Sequence, residues 1–396
     1  MNLIEPVALF LVLGAAVLFV YAYLAYPASL WVLGRFVKAA PVDTKEPDEW
    51  PVVSITVPVF NEEHQVASLV ENLLALDYPP ERRHILIVSD ASSDGTDDIV
   101  RGFGAEGVEL LRLEQRGGKT RAENAALSRL RGEIVVNTDA SIRFPPDSLK
   151  RLVSAFSDPA VGLASGRDVS VPAAPDGGRE SNLGESGYVD YEMSIRDLET
   201  GISGIVGASG CYYGIRRDLH TTMVPESLSR DFAAALNTTE QGYRAVSVPD
   251  AICWVPRTSS LRKEYGRKVR TITRGMETLY FKKALLNPFR FGIPAWMLLS
   301  HKMCRWALPW ASALAVLGLV ALSFSHAWAR YGLGLFGLFL LVAGAGWFLA
   351  DRRALPKVFS IPAFVQVGNV AAAHAFLRVL HGDRSPIWEP TRRGPS

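Results

Sequence analysis

Between Glu5 and Arg35 the chain carries no charged residue. That run exceeds the ~20 apolar residues a helix needs to cross a bilayer. It is too long for a cleaved signal peptide and lacks the basic start of one. Tyr21, Tyr23, Tyr26 and Trp31 gather toward its far end, where aromatic side chains meet a membrane–water interface. Arg35 and Lys38 follow at once, against Glu5 alone before the run. The excess of positive charge assigns the following chain to the cytoplasm. The expected organisation is a transmembrane helix over 1–38 with its N-terminus outside; a buried core helix is the alternative.

Residues 39–50 form a Pro- and charge-rich linker, and an α/β pattern begins after it. Short apolar, β-branched runs at 52–59, 84–88, 108–113 and 134–136 read as strands. Helical spacing separates the first two, in Val66, Leu69, Val70, Leu73 and Leu74, and Tyr78-Pro79-Pro80 ends it. A second helix opens at Asp97, and Gly117-Gly118-Lys119 opens a third through Ala122, Ala125, Ala126, Leu127 and Leu130. This alternation predicts a doubly wound parallel sheet. Polar clusters at 60–63, 89–96 and 139–141 each follow a strand. In such a sheet those ends converge on one crevice, where ligands bind. Asp139, read alone, is a turn residue as readily as a metal or phosphate-proximal ligand. Three such clusters and a Gly-Gly-Lys helix start suited to phosphate shift the balance to a site.

Composition narrows the partners. The net charge of +2 does not suggest nucleic acid. Cys211, Cys253 and Cys304 are odd in number and widely spaced, which fits neither a disulfide framework nor a zinc site. They suit a reducing compartment.

The segments Thr56-Val-Pro-Val-Phe-Asn-Glu-Glu63, Val88-Ser-Asp-Ala-Ser-Ser-Asp-Gly-Thr96, Gly117-Gly-Lys-Thr-Arg-Ala-Glu-Asn124 and Thr138-Asp-Ala-Ser141 occur in this order. Gly207-Ala-Ser-Gly-Cys-Tyr-Tyr-Gly-Ile-Arg-Arg217 and residues 231–244 follow. Over residues 50–290 the set resembles the membrane-bound inverting family 2 glycosyltransferases, which include cellulose-, hyaluronan- and poly-N-acetylglucosamine-synthase-like enzymes. The resemblance implies an α/β doubly wound GT-A nucleotide-sugar-binding domain flanked by transmembrane helices. It gives three regions: 1–38 in the membrane, 50–285 the cytoplasmic transferase domain, and 286–396 a C-terminal membrane region.

The resemblance also implies roles. Pro58, Phe60 and Glu62 would contact the nucleotide, and Asp90 the base or ribose. A carboxylate at a strand end is a good acceptor for such groups, and a cap or turn is the other reading of Asp90. Asp94 has the same ambiguity, since Asp94-Gly95 makes a good turn. Lys119 would reach phosphate or ribose, or stand as a solvated lysine. Asp139 would hold Mg²⁺ or Mn²⁺ against the donor diphosphate. The family's Asp-x-Asp is here Asp139-Ala140-Ser141, so the second carboxylate is missing. The glycine-rich stretch 201–210 would let backbone pass close to the donor sugar and acceptor. Asp231 would be the catalytic base. Arg230 stands where the family has a preceding acid, and a helix cap is the alternative for Asp231.

No Gln-x-x-Arg-Trp motif is present. A basic run of Arg257, Arg262, Lys263, Arg267, Lys268, Arg270 and Arg274 stands in its place. Arg267 or Arg270 would bind the diphosphate, the others anionic lipid headgroups. Beyond 287, an interfacial helix near 296–299 is expected, with spans over 306–329 and 331–350. The basic segment 351–357 would be cytoplasmic. The stretch 358–380 holds Gln366, Asn369, His374 and Arg378 and is expected to be interfacial or re-entrant, keeping Arg384, Arg392 and Arg393 inside.

The expected function is transfer of a sugar, foremost from a UDP-sugar, to a glycan or glycolipid acceptor. The enzyme would sit in the plasma or inner membrane with its catalytic domain in the cytoplasm. A nucleotidyltransferase should show a glycine-rich loop with Arg and Lys after the first strand, where this chain has acidic 60–63. A catalytically silent nucleotide-sugar-binding membrane protein would explain the missing acid, but not why Asp90, Asp139 and Asp231 are all present.

Overall fold

A computed structural model describes residues 3–37, 39–42, 44–171, 183–256, 260–350 and 356–383. Of the residues invoked above, Lys38, Arg257, 351–355 and the arginines after 383 lie outside the described residues. The strands are β1 (Val53–Val59), β2 (Arg83–Ser89), β3 (Val108–Arg112), β4 (Ile134–Thr138), β5 (Val161–Val171), β6 (Tyr212–Arg216) and β7 (Arg244–Pro256). They form one sheet in the order β3-β2-β1-β4-β6-β5-β7.

The four strands expected from the sequence run parallel side by side, Val53 opposite both Arg83 and Ile134. The uniformly parallel expectation is corrected beyond β4. There β6 enters antiparallel, Val136 opposite Gly214, and pairs antiparallel with β5 as well. The sheet is therefore mixed, and β6 brings the glycine-rich stretch to the end of β4. No crossover helix is needed between antiparallel neighbours.

Among the described residues, the longer helices surround the sheet or extend from it. They are α1 (Ile4–Leu33), α2 (Val66–Leu74), α3 (Thr96–Gly102), α4 (Lys119–Ala126), α5 (Ser148–Ser154), α6 (Leu183–Ile202), α7 (Arg230–Glu240), α8 (Leu261–Phe281), α9 (Ile293–Ser323), α10 (Ala327–Leu349) and α11 (Lys357–His381). On one face Val53, Ile55, Val57 and Val59 alternate inward to meet Leu69, Val70 and Leu73 of α2. On the other face β1 places polar groups. Ser54 Oγ accepts from Arg131 N at 3.0 Å and Gly132 N at 2.8 Å, and Thr56 Oγ1 donates to Asn137 Oδ1 at 2.7 Å. These bonds tie β1 to β4 and to the turn preceding it, where an apolar residue would leave backbone donors unpaired.

A separate core joins the sheet domain to the apolar helices. Tyr26 and Leu30 of α1 pack with Ile195 and Ile202 of α6, Phe232 and Leu236 of α7, and Met297 and Leu298 of α9. Polar contacts reinforce it: Tyr26 OH donates to Glu199 at 2.6 Å, and His301 lies between Glu199 at 2.6 Å and Glu192 at 2.9 Å. Phe232 belongs to this core, so the position of its neighbour Asp231 depends on it.

Four helices, α1, α9, α10 and α11, are long and apolar enough to cross a membrane. Two expectations for the C-terminal region change. The interfacial helix near 296–299 is the first part of α9, continuous with the following segment through a π-helical turn at Leu299–Met303. Residues 358–380 form one unbroken helix, which excludes a re-entrant turn. Its polar residues have local reasons: His374 meets Tyr265 of α8 at 2.8 Å, and Asn369 donates to the Val365 carbonyl at 3.2 Å.

Candidate active site

The loops after β1 and β2 are built as one unit. Asn61 and Ala91 both adopt left-handed backbone conformations, at φ 52° and 59°. Asn61 N donates to Ser92 Oγ at 3.1 Å, and Ser93 N donates back to Asn61 Oδ1 at 2.8 Å. Asp94 accepts from Glu63 N at 3.2 Å and from Thr96 N at 3.1 Å, and these bonds hold its carboxyl below its usual range despite the opposing effect of burial. The turn reading of Asp94 is the one its contacts fit. Glu62 is buried, with its backbone N on Thr96 Oγ1 at 2.8 Å and its carboxylate accepting from Gln65.

Asp90 ends this unit. Its two carboxylate oxygens accept from Gly117 N and Gly118 N, each at 2.8 Å. Gly118 has φ 89°, a conformation that only glycine adopts without strain, and it turns the chain into α4. Asp90 thus holds the start of α4, and its local partner is backbone rather than its own helix. Pro58 is buried in β1 beyond the last residue that pairs with β4, so its missing N–H leaves that ladder intact. The Arg116 guanidinium lies 3.7 Å over the Phe60 ring. Phe60, Asp90 and Arg116 therefore form one corner of the crevice.

The other corner forms where α4, β4, the glycine-rich stretch and α7 meet. Lys119 Nζ donates to Asp139 Oδ1 at 2.5 Å and to the Gly210 carbonyl at 2.9 Å. A Cβ on Gly210 would lie 2.7 Å from Asp231 Oδ2. Three residues widely separated in sequence, Lys119, Asp139 and Asp231, meet at this point. Burial pulls the Lys119 ammonium down, but the Asp139, Glu123 and Asp231 charges outweigh it and hold the pKa above the ordinary lysine value. Gly210 has a steric reason to be glycine. Gly210→Ala should push the Asp231 carboxylate aside and cut turnover by about a hundredfold, the cost of a ~1 Å misplacement. The check is the ratio of kcat loss to donor affinity, since the nucleotide corner is untouched.

Asp231 is the second residue of α7, and Ser229 takes the N-cap position. Ser229 Oγ donates to Asp231 Oδ1 at 2.5 Å. The carboxylate faces Gly210 and is not engaged in capping, so the cap reading loses its geometric basis. Arg230, which stands where an acid was expected, is buried. It donates to Asn124 Oδ1 and to the His220 carbonyl, the latter at 2.9 Å. Burial, with Arg230 adding to it, holds the His220 imidazole far below its usual pKa, so it stays neutral. Arg230 is a strut between α4 and α7. Arg230→Met should deprive the His220 carbonyl of its arginine donor at ~1–3 kcal/mol, while Asn124 Oδ1 keeps Val224 N; a lowered thermal unfolding midpoint would reveal the loss.

The basic helix α8 divides its arginines differently from expectation. Arg267 is held by Glu264 in a two-pronged ion pair, Nε to Oε2 at 2.8 Å and Nη2 to Oε1 at 2.9 Å. Glu264 is fully buried, and although burial opposes it, the Arg267 and Lys268 charges keep its carboxyl low. No described contact joins Arg267 or Arg270 to Asp139 or Asp231. Arg274 is the arginine that reaches the site. Its Nη2 donates to Thr120 Oγ1 and the Leu228 carbonyl, and it lies within electrostatic reach of Asp231 and Glu123. It lies one turn beyond Arg270 on the same helix face.

One residue escaped the sequence reading altogether. Glu123, one turn after Lys119 on α4, is buried beneath the site with its carboxyl oxygen 4.0 Å from Lys119 Nζ. Burial pushes its carboxyl upward, opposed by Lys119 and Arg230. The i,i+4 spacing from Lys119 was the available signal.

The profile of glycosyl transferase family 2 matches residues 54–221, from β1 to just beyond β6. The chain carries a family 2 glycosyl transferase domain. The chain is 34% identical to beta-monoglucosyldiacylglycerol synthase of Synechocystis over 117 residues, 28% of this chain and 24% of that protein. A Staphylococcus aureus poly-beta-1,6-N-acetyl-D-glucosamine synthase is 23% identical over 59% of this chain and 56% of its own length. Against its first curated relatives the chain spans only 24% to 39% of their length. Among solved structures, a mannosyltransferase from Pyrobaculum calidifontis in complex with GDP-Man and Mn²⁺ superposes with a TM-score of 0.73 at 23% identity, covering 96% of this chain and 100% of that one. That likeness shows the GT-A fold for the transferase domain together with its apolar helices.

Proposed function

We propose that this chain is an integral membrane glycosyltransferase that transfers a sugar, with inversion, from a nucleotide-diphosphate sugar to a lipid-linked or glycan acceptor at the cytoplasmic face. The observation that carries the reading is the meeting of Lys119, Asp139, Gly210 and Asp231 beside the Asp90 corner. The nucleotide would lie along Pro58, Phe60, Glu62 and Asp90, with its diphosphate directed at Lys119 and Asp139. Arg274, whose guanidinium donates to Thr120 beside Lys119, would meet the diphosphate together with Arg267 or Arg270. Relatives named for lipid acceptors, such as the dodecaprenyl-phosphate galacturonate synthase of Rhizobium johnstonii (31% identical over 31% of this chain and 38% of that protein), support an acceptor approaching from the membrane. So does the core that joins α7 to α1 and α9.

In the reaction Asp231 takes the proton of the acceptor hydroxyl as its oxygen attacks the anomeric carbon. The bond from that carbon to the β-phosphate oxygen breaks, and the nucleotide diphosphate leaves with the electron pair. Cationic side chains aimed at the leaving group stabilise it most where water is excluded.

A divalent cation fits the donor set in one way. Asp139 supplies a single carboxylate, and Mg²⁺-type sites commonly use one or two carboxylates plus substrate phosphates and water. No group of three or more Asp, Glu, His or Cys side chains placed to hold a metal ion occurs among the described residues, so the donor phosphates would complete the shell. A bound Mg²⁺ or Mn²⁺ would neutralise charge developing on the diphosphate. A screen of UDP- and GDP-sugars for nucleotide diphosphate release, with membranes and Mn²⁺, tests the reading. Release accompanied by free sugar and no glycosylated acceptor would point to hydrolysis, and no release with any donor would remove the reading.

The orientation follows from Arg35 and from the short turn between α9 and α10. In a background without the native cysteines, Ser325→Cys should react with an impermeant thiol reagent added outside the cell. Asp48→Cys should stay protected until the membrane is opened. The reverse pattern would invert the topology.

A further inference from the structure

Glu123 has no evident reason to be acidic. It is 2% exposed, and neither carboxyl oxygen has a hydrogen-bond partner among the described residues. The buried Tyr213 hydroxyl, within electrostatic reach, is also without a partner. A buried carboxyl is normally paired, and a methyl-bearing side chain at this point of α4 would avoid the cost of desolvating one. The nearest cation is Lys119, one helical turn away on the same face, at 4.0 Å. That ammonium is at present directed to Asp139, at 2.5 Å.

Asp139 cannot serve Lys119 and a divalent cation through the same oxygen. The lone pair that accepts from Nζ is one the metal would use, and the two cations repel at contact distance. With Lys119 on Asp139 the pair is neutral and attracts a metal weakly. Ser141, standing where a second carboxylate was expected, supplies no compensating charge. A cation on the other Asp139 oxygen would still meet the ammonium's repulsion, so its binding is favoured when the ammonium moves away to a place equally polar. Moving Nζ about 1 Å brings it within hydrogen-bonding distance of Glu123.

We propose, resting on the metal reading above, that Lys119 is a resident counter-ion for Asp139 and that Glu123 is the seat it moves to when a divalent cation takes its place. Lys119 then alternates between two carboxylates, and the site carries its negative charge only when the metal is there to meet it. Glu123 is a positioning residue: it acts on the cation through Lys119 and does not touch it.

The test is Mn²⁺ binding to the purified full chain in detergent with UDP or GDP present to supply phosphate oxygens, corrected for Mn²⁺ held by the nucleotide alone and followed by the electron paramagnetic resonance signal of free Mn²⁺. Four proteins are compared: wild type, Glu123→Gln, Lys119→Met and the double variant. Glu123→Gln should weaken Mn²⁺ about tenfold, because the displaced ammonium has no anionic seat. Lys119→Met should tighten it. In the Lys119→Met background, Glu123→Gln should change nothing, since there is no ammonium to relocate. An equal loss in both backgrounds would make Glu123 a direct partner of the cation and overturn the proposal. Unchanged affinity in Glu123→Gln, or no tightening in Lys119→Met, would overturn it too. Asp139→Ala separates this failure from that of the metal reading. If it leaves Mn²⁺ affinity intact, the cation is not at Asp139 and both ideas fall; if it abolishes binding while the double-variant pattern is absent, only the counter-ion idea falls. Thermal unfolding of each variant checks the fold, and Gln keeps the shape of Glu in the packed site.

Discussion

Asp231→Asn should cut sugar transfer by ~10²–10⁴, the usual effect of removing a general base, while donor binding stays near wild type. The structure sharpens this expectation. Ser229 holds the N-cap position of α7 and donates its hydroxyl to the Asp231 carboxylate at 2.5 Å, and that carboxylate faces Gly210. Asn keeps an oxygen to accept that bond, so stability should hardly change. What Asn lacks is the capacity to take a proton. Nucleotide diphosphate release, read beside a donor-binding titration, distinguishes the two effects. Near-normal transfer would remove Asp231 from the mechanism. The search would then reopen among Asp190, Glu192 and Asp197 of α6, two of which are already engaged. Glu192 is engaged by His301 and Arg305, and Asp197 accepts from Ser247 Oγ at 2.7 Å.

Asp139→Ala should abolish donor turnover and with it any dependence on divalent metal. Asp139 is the one carboxylate of its motif, so nothing adjacent replaces its charge. The substitution would also leave Lys119 to the Gly210 carbonyl and Glu123. A donor diphosphate would still meet a cation, so weak binding should persist while turnover is lost. Turnover is measured with Mn²⁺ and again in chelator, for wild type and variant. Full wild-type activity in chelator would show that no metal is needed, and full activity in Asp139→Ala would remove the residue from catalysis.

The two substitutions expected to be largest both lie at points the sequence could locate. Asp139 ends a β-branched run, and a residue at the end of a parallel strand lies at the crevice whatever the rest of the chain does. The first four strands were legible for the same reason. Their apolar runs are local and match Val53–Val59, Arg83–Ser89, Val108–Arg112 and Ile134–Thr138 closely. The charge-free run before Arg35 was legible because length and charge alone decide whether a helix suits a bilayer.

Other features were not written in any local stretch. The antiparallel entry of β6 depends on pairing Ile134 with Arg216, far apart in the chain, and periodicity carries no information about strand direction. Arg230 read as a lost acid because only its position was visible; its partners Asn124 and His220 come from other elements. The choice among the arginines of α8 turned on Glu264, which claims Arg267, and on the distant Thr120, which receives Arg274. Glu123 looked like an ordinary polar helix residue until the packing around α4 buried it without a partner.

The sequence by itself determined the first four strands and the polar clusters at their ends, because hydrophobic period, chain breakers and strand-end position are short-range properties. Tertiary structure alone decided which cation faces which carboxylate. An ion pair depends on where separate segments come to rest, and only the folded sheet brings Lys119 onto Asp139 and the Gly210 carbonyl with the Asp231 carboxylate packed against Gly210.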